Sequence, residues 1–567
     1  MIKKLYLPLL MAVMFVFTSC SSKMGELSSD YFTTTPQVLE AVGGKVPVTI
    51  NGKFPEKYFK KKAVVTVTPV LKWNGGEVKG QPMTFQGEKV EGNNKTIYYK
   101  AGGNYTMKTS FDYVPEMAKS ELYLQFQAQV GKKTVNIPAV KVADGVIATS
   151  ELVKNTLANA NPANAEDAFQ RVIKQAKQAN IMFLIQQANI RASELNSDII
   201  KEFNLLVKEI NADQKGKLME NIEVSAYASP DGGFDLNDKL AEQREKNAAG
   251  YVDKQLKKDK IETNVDSKYT AQDWEGFKEL VSKSNIQDKD IILRVLSMYQ
   301  DPEQRETEIK NISSVYKDLA DEILPQLRRA RLTLNYQLIG RSDDEILEAF
   351  SSNAKALNNE ELLYGATLVE KAADKEAIYK KTTELYPNDY RAYNNLGELA
   401  YQAGNIAAAE SYFKKALQIN PSSAEANTNL GLIALIKGDN AAAETYLAKG
   451  SGAKTLNEAL GNFYIANGQY ERAVNAFGDT KTNSAALAQI LTKDYNKAKN
   501  TLSGVKNADA YTDYLNAIIG ARTNNATMVI SNLKNAIAKD PSIAKKAATD
   551  LEFAKYATNS SFTSLLK

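Results

Sequence analysis

The chain has 567 residues, 43% hydrophobic and 24% charged, with a formal charge of +4, the composition of a folded protein of roughly three or four domains. It has no histidine and a single cysteine, Cys20, which excludes imidazole bases, histidine-containing triads, thiolate zinc sites and internal disulfides. A near-neutral balance over this length gives no support for nucleic-acid binding, where a concentrated basic face is expected.

The start, MIKKLYLPLLMAVMFVFTSCSS, sets two lysines before an uncharged, mostly apolar run from Leu5 to Phe17. That run is too short to span a bilayer, which needs about 20 residues, and it suits a signal-peptide core. Small residues then lead to Cys20. The arrangement resembles the lipobox of bacterial lipoproteins, with Phe17 where leucine is usual. The resemblance implies that residues 1–19 are a signal peptide and that Cys20 becomes the acylated first residue. It implies further that the mature chain is lipid-anchored in the outer membrane, facing the periplasm. Three acyl chains together anchor stably where one would be marginal. The alternative is a plain secretory leader with an incidental cysteine.

Residues 20–45 read as a polar tether. From 46 to 145 short strands alternate: Val46–Asn51, Ala63–Trp73, Thr96–Lys100, Tyr105–Phe111, Glu121–Val130 and Lys133–Pro138. Leu122, Leu124, Phe126, Ala128 and Val130 face one way, with glutamines opposite, and glycines punctuate the runs. Several short strands at this spacing predict an all-β, Ig-like sandwich. The run KYFKKK from Lys57 to Lys62 reads either as a contact for anionic lipid or glycan, or as a solvated edge that discourages strand pairing.

Asn155–Asn164, NTLANANPAN, reads as a small-residue polar linker, with helical patterning from Ala165. Ile181–Ile190 reads as a strand, although periodicity alone does not separate it from a buried helix. A helix capped by Asp198 carries Ile199, Phe203, Leu206, Val207 and Ile210. Val224 and Ala226 then alternate with Ser225 and Tyr227. A Ser-Pro-Asp-Gly-Gly turn follows from Ser229, and Leu236, Leu240, Ala248, Tyr251 and Val252 form a helical stripe with Arg244 on a neighbouring face.

This strand, turn and helix resemble the peptidoglycan-associating domain of the OmpA type. Asn237, Leu240 and Arg244 fall on its Asn-x-x-Leu-x-x-x-Arg signature, and Arg328–Tyr336 is similar to its basic closing strand. The resemblance implies an OmpA-like α/β domain over residues 165–342, with a helical insertion at about 273–325. It also implies recognition of the peptidoglycan stem peptide, whose diaminopimelate carboxylate Arg244 would grip. Ser229 stands where the family has an aspartate, and Asp231 or Asp235 could supply the missing carboxylate. The Ala-Ser-Pro turn is similar to that of a variant in Bacteroidetes envelope proteins. The alternative is a surface ion pair of Arg244 with Asp235 or Asp238, worth less than about 1 kcal/mol, in a module that docks protein.

From residue 350 to 567 the chain repeats itself. Asn395-Leu-Gly397 with Gly404, Ala409, Phe413, Ala416 and Pro421 recurs, about 34 residues on, as Asn429-Leu-Gly431, Gly438, Ala443 and Leu447. Gly461, Gly468, Ala473 and Phe477 give a third unit. The pattern resembles the tetratricopeptide repeat, which implies an α-solenoid with a C-terminal capping helix and a concave groove that holds a protein partner. Groove positions are then Arg391, Asn394, Glu398, Tyr401, Glu425, Thr428, Leu432, Leu435, Glu458, Asn462 and Ile465. Leu432, Leu435 and Ile465 either expose apolar surface there or pack beneath neighbouring repeats.

Together these features predict a multidomain envelope scaffold without enzymatic activity, cofactor or metal. It would link outer membrane to peptidoglycan and present a protein-binding solenoid. The alternative is an accessory subunit of a secretion or surface-appendage machine. A carboxylate-based glycan hydrolase is a third class, for which no paired-acid signature stands out.

Overall fold

The computed structural model describes residues 24–311 and 313–567; the leader and Cys20 lie outside the described residues. The chain forms two compact units. One holds the chain up to Asp167 and again from Val369 to Lys567; the other is Ala168–Leu368. The second unit is therefore an insertion between the two halves of the first.

The first unit opens with ten strands: β1 (Phe32–Thr35), β2 (Val38–Glu40), β3 (Lys45–Phe54), β4 (Ala63–Trp73), β5 (Gly76–Lys79), β6 (Met83–Gly87), β7 (Lys95–Ile97), β8 (Gly103–Asp112), β9 (Ser120–Val130) and β10 (Lys133–Ile147). They form a sheet of order β1-β3-β8 and a larger one of order β2-β10-β9-β4-β6-β7, with β5 on β4. Alternation explains the shared core: Val46, Val48 and Ile50 of one sheet and Leu122, Leu124 and Phe126 of the other are all buried. The expected tether is instead part of this core from residue 24 onward. Met24 and Leu27 are buried, and β1 and β2 insert Phe32 and Leu39. Their threonine-rich, short segments lack the apolar alternation that marks a strand in sequence.

After the second unit, paired helices stack: Tyr390–Gln402 with Ile406–Ile419, Ala424–Ile436 with Asn440–Leu447, Leu456–Ala466 with Tyr470–Phe477, Asn483–Leu491 with Tyr495–Ser503, and Ala510–Arg522 with Ala526–Lys539. Ser542–Thr549 and Ser560–Leu565 close the array. The repeated glycine is required by close approach. A Cβ at Gly397 would stand 2.5 Å from the Phe413 ring, and one at Gly431 would stand 2.5 Å from Leu447, so a larger residue would force the two helices of a pair apart.

The second unit carries β11 (Val172–Met182), β12 (Lys217–Tyr227), β13 (Asn264–Thr270) and β14 (Arg329–Ile339) in the order β11-β14-β12-β13. β12 and β13 are parallel, and the other neighbours are antiparallel. The helices Asp198–Ala212 and Phe234–Asp259 supply Phe203, Val207, Ile210, Ala248 and Val252 to the core against Val224, Ala226, Leu332 and Leu334. The parallel strand β13, absent from the sequence reading, is mostly exposed. Helical patterning does not resume at Ala165. The strand expected at Ile181–Ile190 lies nine residues earlier, because β11 is mostly solvent-exposed and buries only Ala179 and Ile181. Its polar run, KQAKQ, hides it from a reading based on apolar density. The insertion is helical as expected: Trp274–Lys283, Lys289–Met298 and Pro302–Asn311 enclose a small core of their own around Phe277, Ile292 and Ile309.

Candidate functional site

Two sites were expected, one in each unit. In the first unit the concave face of the solenoid is filled by the chain itself. Residues 149–167, which include the linker expected at Asn155–Asn164, run along it as a strap. Two short turns, Thr149–Leu152 and Leu157–Asn159, flank one helical turn, Val153–Thr156, and Leu152, Val153 and Leu157 are buried in the solenoid core. Beyond Ala160 the strap is extended, with Ala163 and Ala165 buried and Asn164 and Glu166 exposed.

Asparagines hold its backbone. Ala163 N–H donates to Asn429 Oδ1 at 2.6 Å, and the Ala163 carbonyl accepts from Asn429 Nδ2 and from Asn394 Nδ2, each at 2.9 Å. One repeat earlier, Asn395 pairs with both polar backbone groups of Ala165 at 2.9 Å. A side-chain amide offers a donor and an acceptor side by side, which matches the N–H and C=O of one extended residue. All three asparagines are buried, where leaving such groups unpaired is costly. The small strap residues let the backbone approach this closely.

In the third unit Glu458 takes the asparagine's part. Its carboxylate accepts from Asn161 N at 3.1 Å and from Asn161 Nδ2 at 3.0 Å. Glu398 accepts from Asn164 Nδ2 at 2.5 Å, and Tyr401 donates its hydroxyl to the Leu157 carbonyl at 2.5 Å. Burial pushes both carboxyls above the usual range, while the asparagine bonds pull the other way. Burial likewise raises the Tyr401 phenol. At the far end Thr149 donates to Glu552, itself paired with Arg522, and Ser484 meets Thr156 at 2.8 Å.

Of the expected groove residues, Asn394, Glu398, Tyr401 and Glu458 therefore touch the strap. Arg391 reaches the Glu166 carbonyl at 3.4 Å, although its closer partner is Asp389 at 2.7 Å. Leu432, Leu435 and Ile465 belong to the core that includes the strap's Leu157 and Ala160, so they expose no apolar surface. Thr428 and Asn462 are buried beside them, and Glu425 accepts from Ser423 instead. Asn395 and Asn429 were read only as repeat signature. The matching signal was the alanine-asparagine pattern of the linker expected at Asn155–Asn164.

In the second unit Arg244 is 1% exposed. It donates to the carbonyls of Gln187 at 3.0 Å, Tyr227 at 2.9 Å and Leu184 at 3.3 Å, over the ring of Phe183. It makes no surface pair with Asp235 or Asp238. Burial, aided by the charge of Arg328, pulls its pKa down to about 10. The inward stripe of its helix is Asn237, Ala241, Arg244, Ala248 and Val252, whereas Leu236 is exposed.

Ser229 is buried, its hydroxyl accepting from Arg328 Nε at 3.3 Å, and Asp231 pairs with Arg328 at 3.0 Å. Asn237 donates to the Ser229 carbonyl at 3.0 Å and fixes the turn. Asp235 is exposed in the first turn of the helix. Asp231 and Ser229 are thus brought together by Arg328, a residue read only as part of the closing strand. Arg329 beside it forms a buried ion pair with Asp273 at 2.7 Å.

Residues 390–423 match the family described as Tetratricopeptide repeat. No curated protein matches the chain. Among solved structures, a tetratricopeptide repeat protein from Parabacteroides merdae is 15% identical over 36% of this chain and 88% of its own, with a TM-score of 0.28. PilW, a type IV pilus biogenesis factor, is 19% identical over 40% and 89%, with a TM-score of 0.22. YrrB, a TPR protein with an unusual peptide-binding site, is 19% identical over 36% and 100%, with a TM-score of 0.21. At these values none of them carries an activity or a partner over to this chain. The C-terminal third is a helical solenoid of the tetratricopeptide type, and residues 390–423 are the repeat that matches the family directly.

Proposed function

We propose that this chain is a non-enzymatic scaffold of the bacterial cell envelope, held in the outer membrane through Cys20, facing the periplasm and working through protein contacts. Its N-terminal sandwich is Ig-like, and its inserted unit is an OmpA-like module. The carrying observation is the solenoid itself, whose buried asparagines grip an extended polypeptide by its backbone. That is binding geometry.

Within this proposal the OmpA-like module docks protein in preference to wall, the role of an accessory subunit of a secretion or surface-appendage machine. What favours this is Arg244, whose guanidinium is already spent on three backbone carbonyls, and Asp231, already paired with Arg328. Leu184, Ile185, Phe234 and Leu236 near this end are exposed by 45, 58, 52 and 48%, more apolar than a muropeptide site requires. The scaffold that ties membrane to peptidoglycan is the competing reading. Sedimentation of the purified chain with isolated sacculi decides between them: co-sedimentation that free muropeptide displaces overturns the protein-docking reading. Crosslinking in intact cells then identifies the partner, and loss of membrane fractionation in Cys20→Ala tests the anchor.

A further inference from the structure

We propose that the concave face of the solenoid is a peptide-binding groove for an extended, small-residue Ala/Asn segment, and that residues 149–167 are its intramolecular ligand, which blocks the groove until the strap leaves. The proposal rests on the reading of the solenoid as protein-binding and names the ligand chemistry of that same site. Three observations carry it.

The strap is gripped chiefly through its backbone. Asn429 and Asn395 each close a two-bond ring on one residue, Ala163 and Ala165, two positions apart. That spacing presents the N–H and C=O groups of alternate residues on one side, as an extended chain does. Such a grip recognises an extended conformation, and the tight fit at Ala163 and Ala165, both 1% exposed, restricts those positions to small side chains.

The intervening residue is also read. Asn164 points the other way and is taken by Glu398, and Asn161 gives both its backbone and side-chain N–H groups to Glu458. The ligand pattern is therefore asparagine, proline, alanine, asparagine, alanine, as at 161–165.

Beyond Asn159 the strap belongs to no helix or strand. That stretch makes no ladder with any strand and is held by side chains of the solenoid helices.

A tethered ligand acts at an effective concentration on the order of millimolar. A free peptide of the same sequence at micromolar concentration is therefore shut out of the resting chain.

The test uses the full chain and a labelled peptide of residues 149–167. Wild type is expected to bind no peptide at micromolar concentration. A strap variant, Ala163→Glu with Ala165→Glu, leaves the groove intact and is expected to bind the peptide with affinity at least about tenfold above background. Adding Asn394→Ala and Asn429→Ala should remove that binding. A strap variant that melts as wild type does and binds no peptide overturns the proposal.

Should the variant fail to fold, hydrogen exchange in the wild type decides. Opening of the strap alone predicts that the Ala163 and Ala165 amides exchange faster than the core amides of the helix Ala424–Ile436. Exchange of both only with global unfolding makes the strap a permanent part of the fold and sinks the idea. If this inference alone fails, in-cell crosslinks from solenoid positions to a partner persist; if the protein-binding reading fails, no such crosslink forms with the strap open or shut.

Discussion

Asn429 and Ala163 lie 266 positions apart in sequence and pair as two residues of neighbouring strands do, N–H to oxygen and carbonyl to N–H, at 2.6 and 2.9 Å. The side chain of a repeat helix substitutes for a strand backbone. Asn394 adds a second donor to the same carbonyl, so the two partners are not equivalent: the carbonyl has a reserve and the N–H has none.

That asymmetry sets the first prediction. Asn429→Ala leaves the Ala163 carbonyl with Asn394 but strips the buried N–H of its acceptor. An unsatisfied buried group costs about 1–3 kcal/mol, and Asn394→Ala should cost less, since Asn429 still serves the carbonyl. Urea unfolding of the two variants measures the order. Equal costs would mean that water replaces the lost acceptor and that the strap is looser than its hydrogen bonds imply.

Glu458 gives a pH prediction. Burial raises its carboxyl above the ordinary value of 4.5, against the pull of the Asn161 bonds. A folded-state value above the unfolded one means that the native chain binds the extra proton. The contribution is therefore fully present below the unfolded value and is lost as pH rises through the raised one. Other carboxylates titrate in the opposite sense, Glu88 and Glu223 among them, so the difference between wild type and Glu458→Gln is the quantity to read. Relative to the variant, wild type should lose stability as pH rises from about 4.5 toward neutrality. A pH-independent difference between the two melting curves would contradict the assignment.

The sequence made the solenoid legible because tetratricopeptide helices must place glycine where partner helices touch, and Gly397, Gly431 and Gly461 recur in register. The larger sheet of the sandwich was legible where strands alternate strictly, as in β9. Three features were not. β11 hides because most of it faces water, so its side chains carry no apolar signal. Arg244 looked like a surface or ligand-facing cation, since helix position alone does not reveal that three loop and strand carbonyls converge on it. The strap looked like a linker because small and polar residues mark both a mobile connection and a backbone seated in a tight groove. Only the partner side chains, more than two hundred residues away, tell the two apart.

Arg244 and Ser229 supply the third prediction. Arg244→Ala would leave the carbonyls of Leu184, Gln187 and Tyr227 without this donor, a loss of about 1–3 kcal/mol for each carbonyl that stays unsatisfied. Arg244→Lys should recover only part of it, because an ammonium lacks the planar fork that reaches several acceptors at once. Ser229→Asp would set a second carboxylate beside Arg328, already paired with Asp231. Its charge is then absorbed inside the turn, and binding to sacculi is expected not to rise. A gain of sacculus binding in Ser229→Asp, with an unchanged melt, would show that the turn still opens toward a wall ligand.

The last prediction asks whether the strap and the solenoid form one packed core. Leu157 of the strap and Leu435 of the groove are 1% and 3% exposed within one cluster, and the helix Ala424–Ile436 packs on the strap turn Leu157–Asn159. Leu435 stands one repeat beyond Tyr401, whose hydroxyl reaches the Leu157 carbonyl. Leu157→Ala and Leu435→Ala should each cost about 2–5 kcal/mol, the range for buried leucines that leave a cavity. If the two side chains share that cavity, the double variant should cost less than the sum, with a coupling of about 0.5–3 kcal/mol. Tyr401→Phe removes one hydrogen bond and keeps the ring, so its expected cost is smaller, about 0.5–1.5 kcal/mol. Leu432→Asp buries an unpaired charge in the same wall and should lower the melt far more than any of these. Guanidinium unfolding of the four single variants and the double variant is sufficient. Strict additivity of Leu157→Ala and Leu435→Ala would mean that the strap rests on the groove without sharing its core.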